Sequence, residues 1–164
     1  MRILIRDNQA KEWKFAESIA AKAEAELQKL LAESPSLIPV DEIREGVTSL
    51  VFAICEFGLP GSGNTDILAF SADGDISIIE CKLATNPESK RKVMGQILEY
   101  AAYLWGMTYD QVNARVQSLK EKDLSDLVEE AVAGGWDEEN FRKGIDQSLQ
   151  SGSFILIIVV DEIN

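Results

Sequence analysis

The strongest constraint on the fold lies between residues 65 and 83. Thr65-Asp66-Ile67-Leu68-Ala69-Phe70 and Ile76-Ser77-Ile78-Ile79-Glu80-Cys81-Lys82-Leu83 are apolar, largely β-branched runs on either side of Asp73-Gly74. An Asp-Gly pair between two such runs signals a hairpin, because glycine accepts the left-handed backbone that the turn demands. Side chains alternate along a strand, so Glu80 and Lys82 share one face and Cys81 takes the other. Antiparallel folding then brings Asp66 beside Glu80. Two carboxylates and an ammonium converge at one end of an apolar sheet, where an unpaired charge is heavily penalised. Such a group is ion-paired, metal-bound or catalytic.

The rest of the chain supplies helices around this hairpin. Phe15, Ile19, Leu27, Leu30 and Leu31 recur at helical spacing and predict a helix from about Lys14 to Glu33, stopped by Pro35. Glu24 shares the stripe of Leu27 and Leu31, whereas Glu26 lies on the solvent side. Residues 34–49 read as a loop, and Leu50–Phe57 as a buried strand ending near the acid Glu56. A second helix is expected from Glu88 to about Trp105, with Pro87 at its start and Val93, Ile97, Tyr100, Ala101 and Leu104 facing the core. Gln96 and Tyr100, four apart, are neighbours on its surface. Tyr109–Glu121, Leu124–Ala133 and Asp137–Gln150 predict an acidic helical insertion over residues 109–150. Phe154–Val160 is a continuous apolar run, expected as a parallel strand buried on both faces. The Gly58-to-Thr65 turn is a near miss to a phosphate-binding loop. It has Asn64 where the lysine belongs, and a strand follows it rather than a helix.

Asp66 followed after a hairpin by Glu80-Cys81-Lys82 resembles the PD-(D/E)XK signature of restriction-endonuclease-like nucleases, with Thr65 in place of the proline. Gln96-Ile97-Leu98-Glu99-Tyr100 is similar to the Gln-x-x-x-Tyr motif of RecB-type members, and Asn86–Lys92 resembles an archaeal-endonuclease branch. The resemblance covers residues 16 to 106 well and the last strand loosely. It implies an αβββαβ core, a central mixed sheet flanked by helices, within a single domain carrying an N-terminal arm at residues 1–13. It also implies hydrolysis of phosphodiester bonds, of DNA by resemblance, with Mg²⁺ or Mn²⁺ held by Asp66, Glu80 and the backbone carbonyl of Cys81. Lys82 would orient the attacking water, Glu24 and Gln96 would assist at the metal and water, and Tyr100, Lys90, Arg91 and Lys92 would contact substrate. A homodimer and a further C-terminal domain are compatible partners, since a buried strand is an odd final element. The rival readings are a catalytically silent nucleic-acid-binding or protein-interaction module and a plain Glu80–Lys82 salt bridge.

Composition narrows the chemistry further. The chain has no histidine and two separated cysteines, Cys55 and Cys81, which leaves oxygen ligands and hence a hard cation, and fits reduced thiols in a cytoplasmic protein. No run approaches the ~20 apolar residues of a membrane span. The net charge of −12 runs against nucleic-acid binding, which displaces counterions with basic groups. The excess is uneven: residues 1–98 hold 11 bases and 15 acids, residues 99–164 hold 5 and 13. Lys82, Lys90, Arg91 and Lys92 gather beside the expected site.

Overall fold

In the computed structural model the described residues are 4–5 and 14–15, for backbone alone, together with 23–85, 90–132 and 134–161. Strands β1 (Leu4–Ile5) and β2 (Lys14–Phe15) pair antiparallel with each other. The expected first helix is therefore shorter than its apolar spacing suggested. Lys14 and Phe15 are strand, Ile19 lies outside the described residues, and α1 runs Glu24–Glu33. Phe15 suits a strand as well as a helix, and the pairing of Lys14–Phe15 with Leu4–Ile5 decides between them. Leu31 is buried and Leu27 half-buried, but Leu30 is exposed. The expected loop 34–49 holds a 3₁₀ turn at Pro35–Leu37 and a one-turn helix α2, Val40–Ile43, whose Val40 is fully buried.

β3 (Leu50–Leu59), β4 (Gly63–Ser71), β5 (Ile76–Lys82) and β6 (Ile155–Val160) form a four-stranded sheet in that order. The first three are antiparallel and β6 is parallel to β5, so the sheet is mixed and open. Between β5 and β6 come α3 (Lys90–Leu104), α4 (Tyr109–Lys120), α5 (Leu124–Ala131) and α6 (Glu138–Ser151). The fold class is α/β. Residues 86–89, with the expected Pro87 helix start, lie outside the described set.

Strand alternation sorts the core into two layers. Leu68, Phe70, Ile76 and Ile78 face α3–α6, whereas Ile67, Ala69, Ile79 and Cys81 face α1 and α2. The acidic helices α4–α6 are more than a solvated cover, because Val112, Val116, Leu124, Val128, Phe141 and Ile145 complete the larger core. Thr108 and Gln111 form a capping box at the start of α4, and Asp137 caps α6. β6 departs from expectation. It is the sheet's edge among the described residues, and Leu156, Ile158 and Val160 are partly exposed instead of covered on both faces. An unbroken apolar run does not by itself distinguish a central strand from an edge one.

α6 is pinned to the β4–β5 turn at very short range. Ser148 donates to the Gly74 carbonyl at 3.1 Å, and the Trp136 indole N–H to the Ala72 carbonyl at 3.1 Å. Gly74 takes φ +88°, and a Cβ on Gly144 would overlap the Asp73 carbonyl. Gly144→Ala is therefore expected to destabilise the protein by about 2 kcal/mol or more through overpacking. Gly95→Ala, at a helix position with nothing within 4 Å, should instead stabilise it by roughly 1 kcal/mol. Denaturant midpoints of the two variants check the contrast.

Candidate active site

The ladder between β4 and β5 ends at Ile67 opposite Ile79. One step further on, Asp66 and Glu80 face each other where the two backbones no longer pair. The amide of Cys81 donates to Asp66 Oδ2 at 2.7 Å, so a side chain replaces the missing ladder partner. β6 continues beside β5 as far as Lys82 opposite Val160. The sheet thus opens on one side of β5 only, at the end that carries the charged residues.

Glu80 is fully buried, and neither of its oxygens accepts a hydrogen bond of good geometry. Lys82 Nζ approaches Glu80 Oε1 to 3.0 Å and Glu24 Oε2 to 3.6 Å. Glu24 occupies the first turn of α1, where the helix dipole favours a carboxylate, and its Oε1 accepts the Leu83 amide at 3.1 Å. Gln96 donates to the Tyr100 hydroxyl at 2.8 Å, and the phenol lies within the field of Glu80, Asp66 and Lys82. Asp66, Glu80, Lys82, Glu24, Gln96 and Tyr100 thus share one neighbourhood. Lys90, Arg91 and Lys92 form the exposed first turn of α3.

Burial and the neighbouring Asp66 push the Glu80 carboxyl up to about 7, against the pull of Lys82. Asp66 is raised too, by burial first and then by Glu56 and Glu24, with the Cys81 amide and Lys82 opposing. For Lys82 burial acts downward, but Glu80, Glu24 and Asp66 outweigh it and hold the ammonium protonated. The Cys81 thiol, pushed by burial to about 12, is inert, and burial also raises Tyr100.

No protein-family model, curated protein or solved structure matches this chain. The functional reading therefore rests on the site itself. Among the described residues, no three Cys, Asp or Glu side chains stand close enough together to hold a metal ion in this arrangement. The donor chemistry nevertheless suits one, since buried Glu80, half-buried Asp66 and a strand carbonyl offer hard oxygens, and Glu80 Oε2 has no hydrogen-bond donor among the described residues.

Two further acids flank the site: Asp161, which stands out only in three dimensions, and Glu56, the acid expected near the end of its strand as a further metal contact or an exposed strand-end charge. Asp161, just past β6, accepts the Ala84 amide at 2.6 Å and fixes the chain leaving Lys82. An acid ending the strand parallel to β5 was the available signal. Glu56 adopts φ +54°, unusual for a residue other than glycine, and its carboxylate accepts from Gln28 at 3.2 Å and Asn64 at 3.3 Å. This reversal turns Phe57 into the larger core although Cys55, two residues earlier, belongs to the smaller one.

The Glu80 carboxyl makes stability fall with rising pH. Below its ordinary value of 4.5 both the folded and unfolded chains hold the proton; from there up to about 7 only the folded chain does. Metal-free protein is expected to lose on the order of 3 kcal/mol across that window, and Glu80→Gln to lose much less. Urea unfolding of both proteins at pH 4.5, 6 and 8 measures the difference.

Proposed function

We propose that this chain is a metal-dependent nuclease of the restriction-endonuclease-like type, hydrolysing phosphodiester bonds with DNA as the expected substrate. The observation that carries the reading is the pairing of Asp66 with a fully buried Glu80 beside Lys82, at the opened end of β5. Asp66, Glu80 and the Cys81 carbonyl would hold Mg²⁺ or Mn²⁺, which would supply polarisation of a phosphate oxygen and a more acidic water. Lys82 keeps its proton and donates hydrogen bonds to the attacking water or to the charge gathering on phosphorus. Glu24 holds Lys82 in place. Gln96 and Tyr100 offer an amide and a neutral phenol to orient water or a phosphate oxygen. Lys90, Arg91 and Lys92 give the backbone its nearest positive charges.

A second reading is a catalytically silent interaction module that keeps this architecture. The ion pairs of Lys82 with both Glu80 and Glu24, and the net charge of −12, favour it. Two variants separate the readings. Asp66→Asn should abolish calorimetric Mn²⁺ binding, and equal binding by wild type and variant would sink the metal assignment. Lys82→Ala removes a cation that competes for Glu80, so it should bind Mn²⁺ at least as well as wild type while losing cleavage of plasmid or single-stranded DNA by 100-fold or more, on the order of removing a positioned proton donor. Near wild-type cutting by that variant would reduce Lys82 to a salt-bridge partner.

Substrate adhesion should be weak and salt-dependent. Substituting Lys90, Arg91 and Lys92 with alanine is expected to weaken binding equally for all sequences and to flatten the salt dependence, because phosphate contacts position rather than specify. Fluorescence anisotropy with labelled DNA at several salt concentrations reads both effects.

A further inference from the structure

Among the described residues β6 is guarded on one side only. β5 pairs with it along its whole length, and no described strand pairs with its other edge. Ile155–Val160 contains no charge and no proline, and its pairing with β5 has no bulge, so the usual defences of an edge strand are missing. Leu156, Ile158 and Val160 lie on the face of the sheet that carries α3 and are 37–41% exposed. On the same side of the sheet one flank of α3 exposes Met94 and Leu98, and Trp105 follows just past its end, at 55%, 57% and 63% exposed. The Trp105 indole donates to the Gln150 carbonyl at 3.0 Å, and its ring lies against the position of Gly152, which sets this flank over the start of β6. The opposite flank, with Glu99 and Tyr103, meets Ser62 and Gly61 instead. The strand row and the helix row are apolar on a strongly acidic chain, bordered by Lys82 beside Val160 and by Arg91 one turn before Met94.

We propose that this surface is a homodimer interface, with β6 of each copy pairing antiparallel about a two-fold axis to make one eight-stranded sheet. The strand is complementary to itself. With Ile157 of one copy opposite Ile157 of the other, Leu156 faces Ile158 and Ser153 faces Asp161, and every apolar side chain stays on its own face. The strand ends are also complementary in charge. Arg44 donates to the Ser153 hydroxyl at 2.7 Å and carbonyl at 3.2 Å, so the start of β6 is positive, while Asp161 makes its end negative. Antiparallel pairing puts each Arg44 next to the Asp161 of the second copy.

The helix row fits the same axis. Strands about 4.8 Å apart place the two β5 strands roughly 14 Å apart, and the α3 helices above them are separated by more than the 8–10 Å of helices in direct contact. Large side chains bridge that gap. α3 runs from the end of β5 back to the start of β6, so the two-fold sets Leu98 against Leu98 and Trp105 against Met94 of the second copy, a sulfur–aromatic pair. Both copies of Asp66, Glu80 and Lys82 lie on one face of the joined sheet. The inference does not depend on what that site does.

Sedimentation velocity on the full chain tests it, with Leu156→Glu and Leu98→Glu as variants. Both positions are exposed in the single chain, so far-UV circular dichroism should stay near wild type, and the thermal midpoint should fall only as far as loss of the dimer accounts for. Wild type is expected to sediment as a dimer, and each variant to dissociate at least roughly tenfold more readily, because each buries an unpaired charge. Added NaCl should tighten the wild-type dimer by screening two charges of −12. A wild-type monomer at the highest soluble concentration would overturn the proposal, as the chain's own residues 1–22 covering the edge would produce. A dimer that survives both substitutions would overturn it as well, by placing the contact elsewhere.

Discussion

Glu80 sets the terms for the functional end of this molecule. A carboxyl group with no exposed surface, flanked by β4 and β6, must find positive charge or a proton. Lys82 supplies part of the charge at 3.0 Å and is itself steadied by Glu24 at 3.6 Å. The raised carboxyl of Glu80 supplies the rest by holding its proton towards neutrality. Burying glutamate in a sheet of isoleucine, leucine and phenylalanine costs stability, and an ordinary core would place an apolar side chain there.

The backbone around that carboxyl is held by acids from three different elements. Asp66 on β4 accepts the Cys81 amide, Glu24 on α1 accepts the Leu83 amide, and Asp161 after β6 accepts the Ala84 amide. β5 therefore leaves the sheet through a series of side-chain hydrogen bonds where ladder partners have run out. Each bond satisfies a donor that would otherwise be orphaned, and together they fix the direction of Lys82. In an open sheet the carboxyl ends of parallel strands are where ligands bind, and β5 and β6 are the parallel pair here.

The hairpin and its charges were legible because local signals and tertiary packing agree there. The Asp-Gly turn, period-two alternation and apolar runs all specify the same pairing, and Asp66, Glu80 and Lys82 follow from register alone. α3 to α6 were legible to within two residues at their ends, since helical spacing and glycine breaks coincide. The miss at Lys14–Phe15 has a different origin. That segment satisfied a helical period, but its pairing with Leu4–Ile5 is a non-local choice that spacing does not encode. The same limit hid the place of β6, whose apolar run suits an edge or a centre equally. Glu56 was legible as an acid near the strand end but its left-handed backbone was not, because a non-glycine residue in an apolar run carries no local signal for positive φ.

The charge balance at the site bears on what it can accept. Asp66, Glu80 and Glu24 would sum to −3 if ionised, and Lys82 returns +1, leaving two negative charges uncompensated. The shifts respond in one direction: Asp66, Glu80 and Lys82 are all raised, so each holds a proton more firmly than in water. Burial is the first cause for the two carboxylates and repulsion from neighbouring carboxylates adds to it, while for Lys82 the neighbouring carboxylates alone act upward. Protonating Glu80 offsets part of the uncompensated charge in the free protein, and a divalent cation would offset all of it while returning both carboxylates to their ionised form. Proton and cation then compete for the same oxygens, so cation affinity should rise as pH passes through about 7, where Glu80 gives up its proton. A salt bridge kept only for structure has no such deficit to fill, since one lysine would then face one carboxylate.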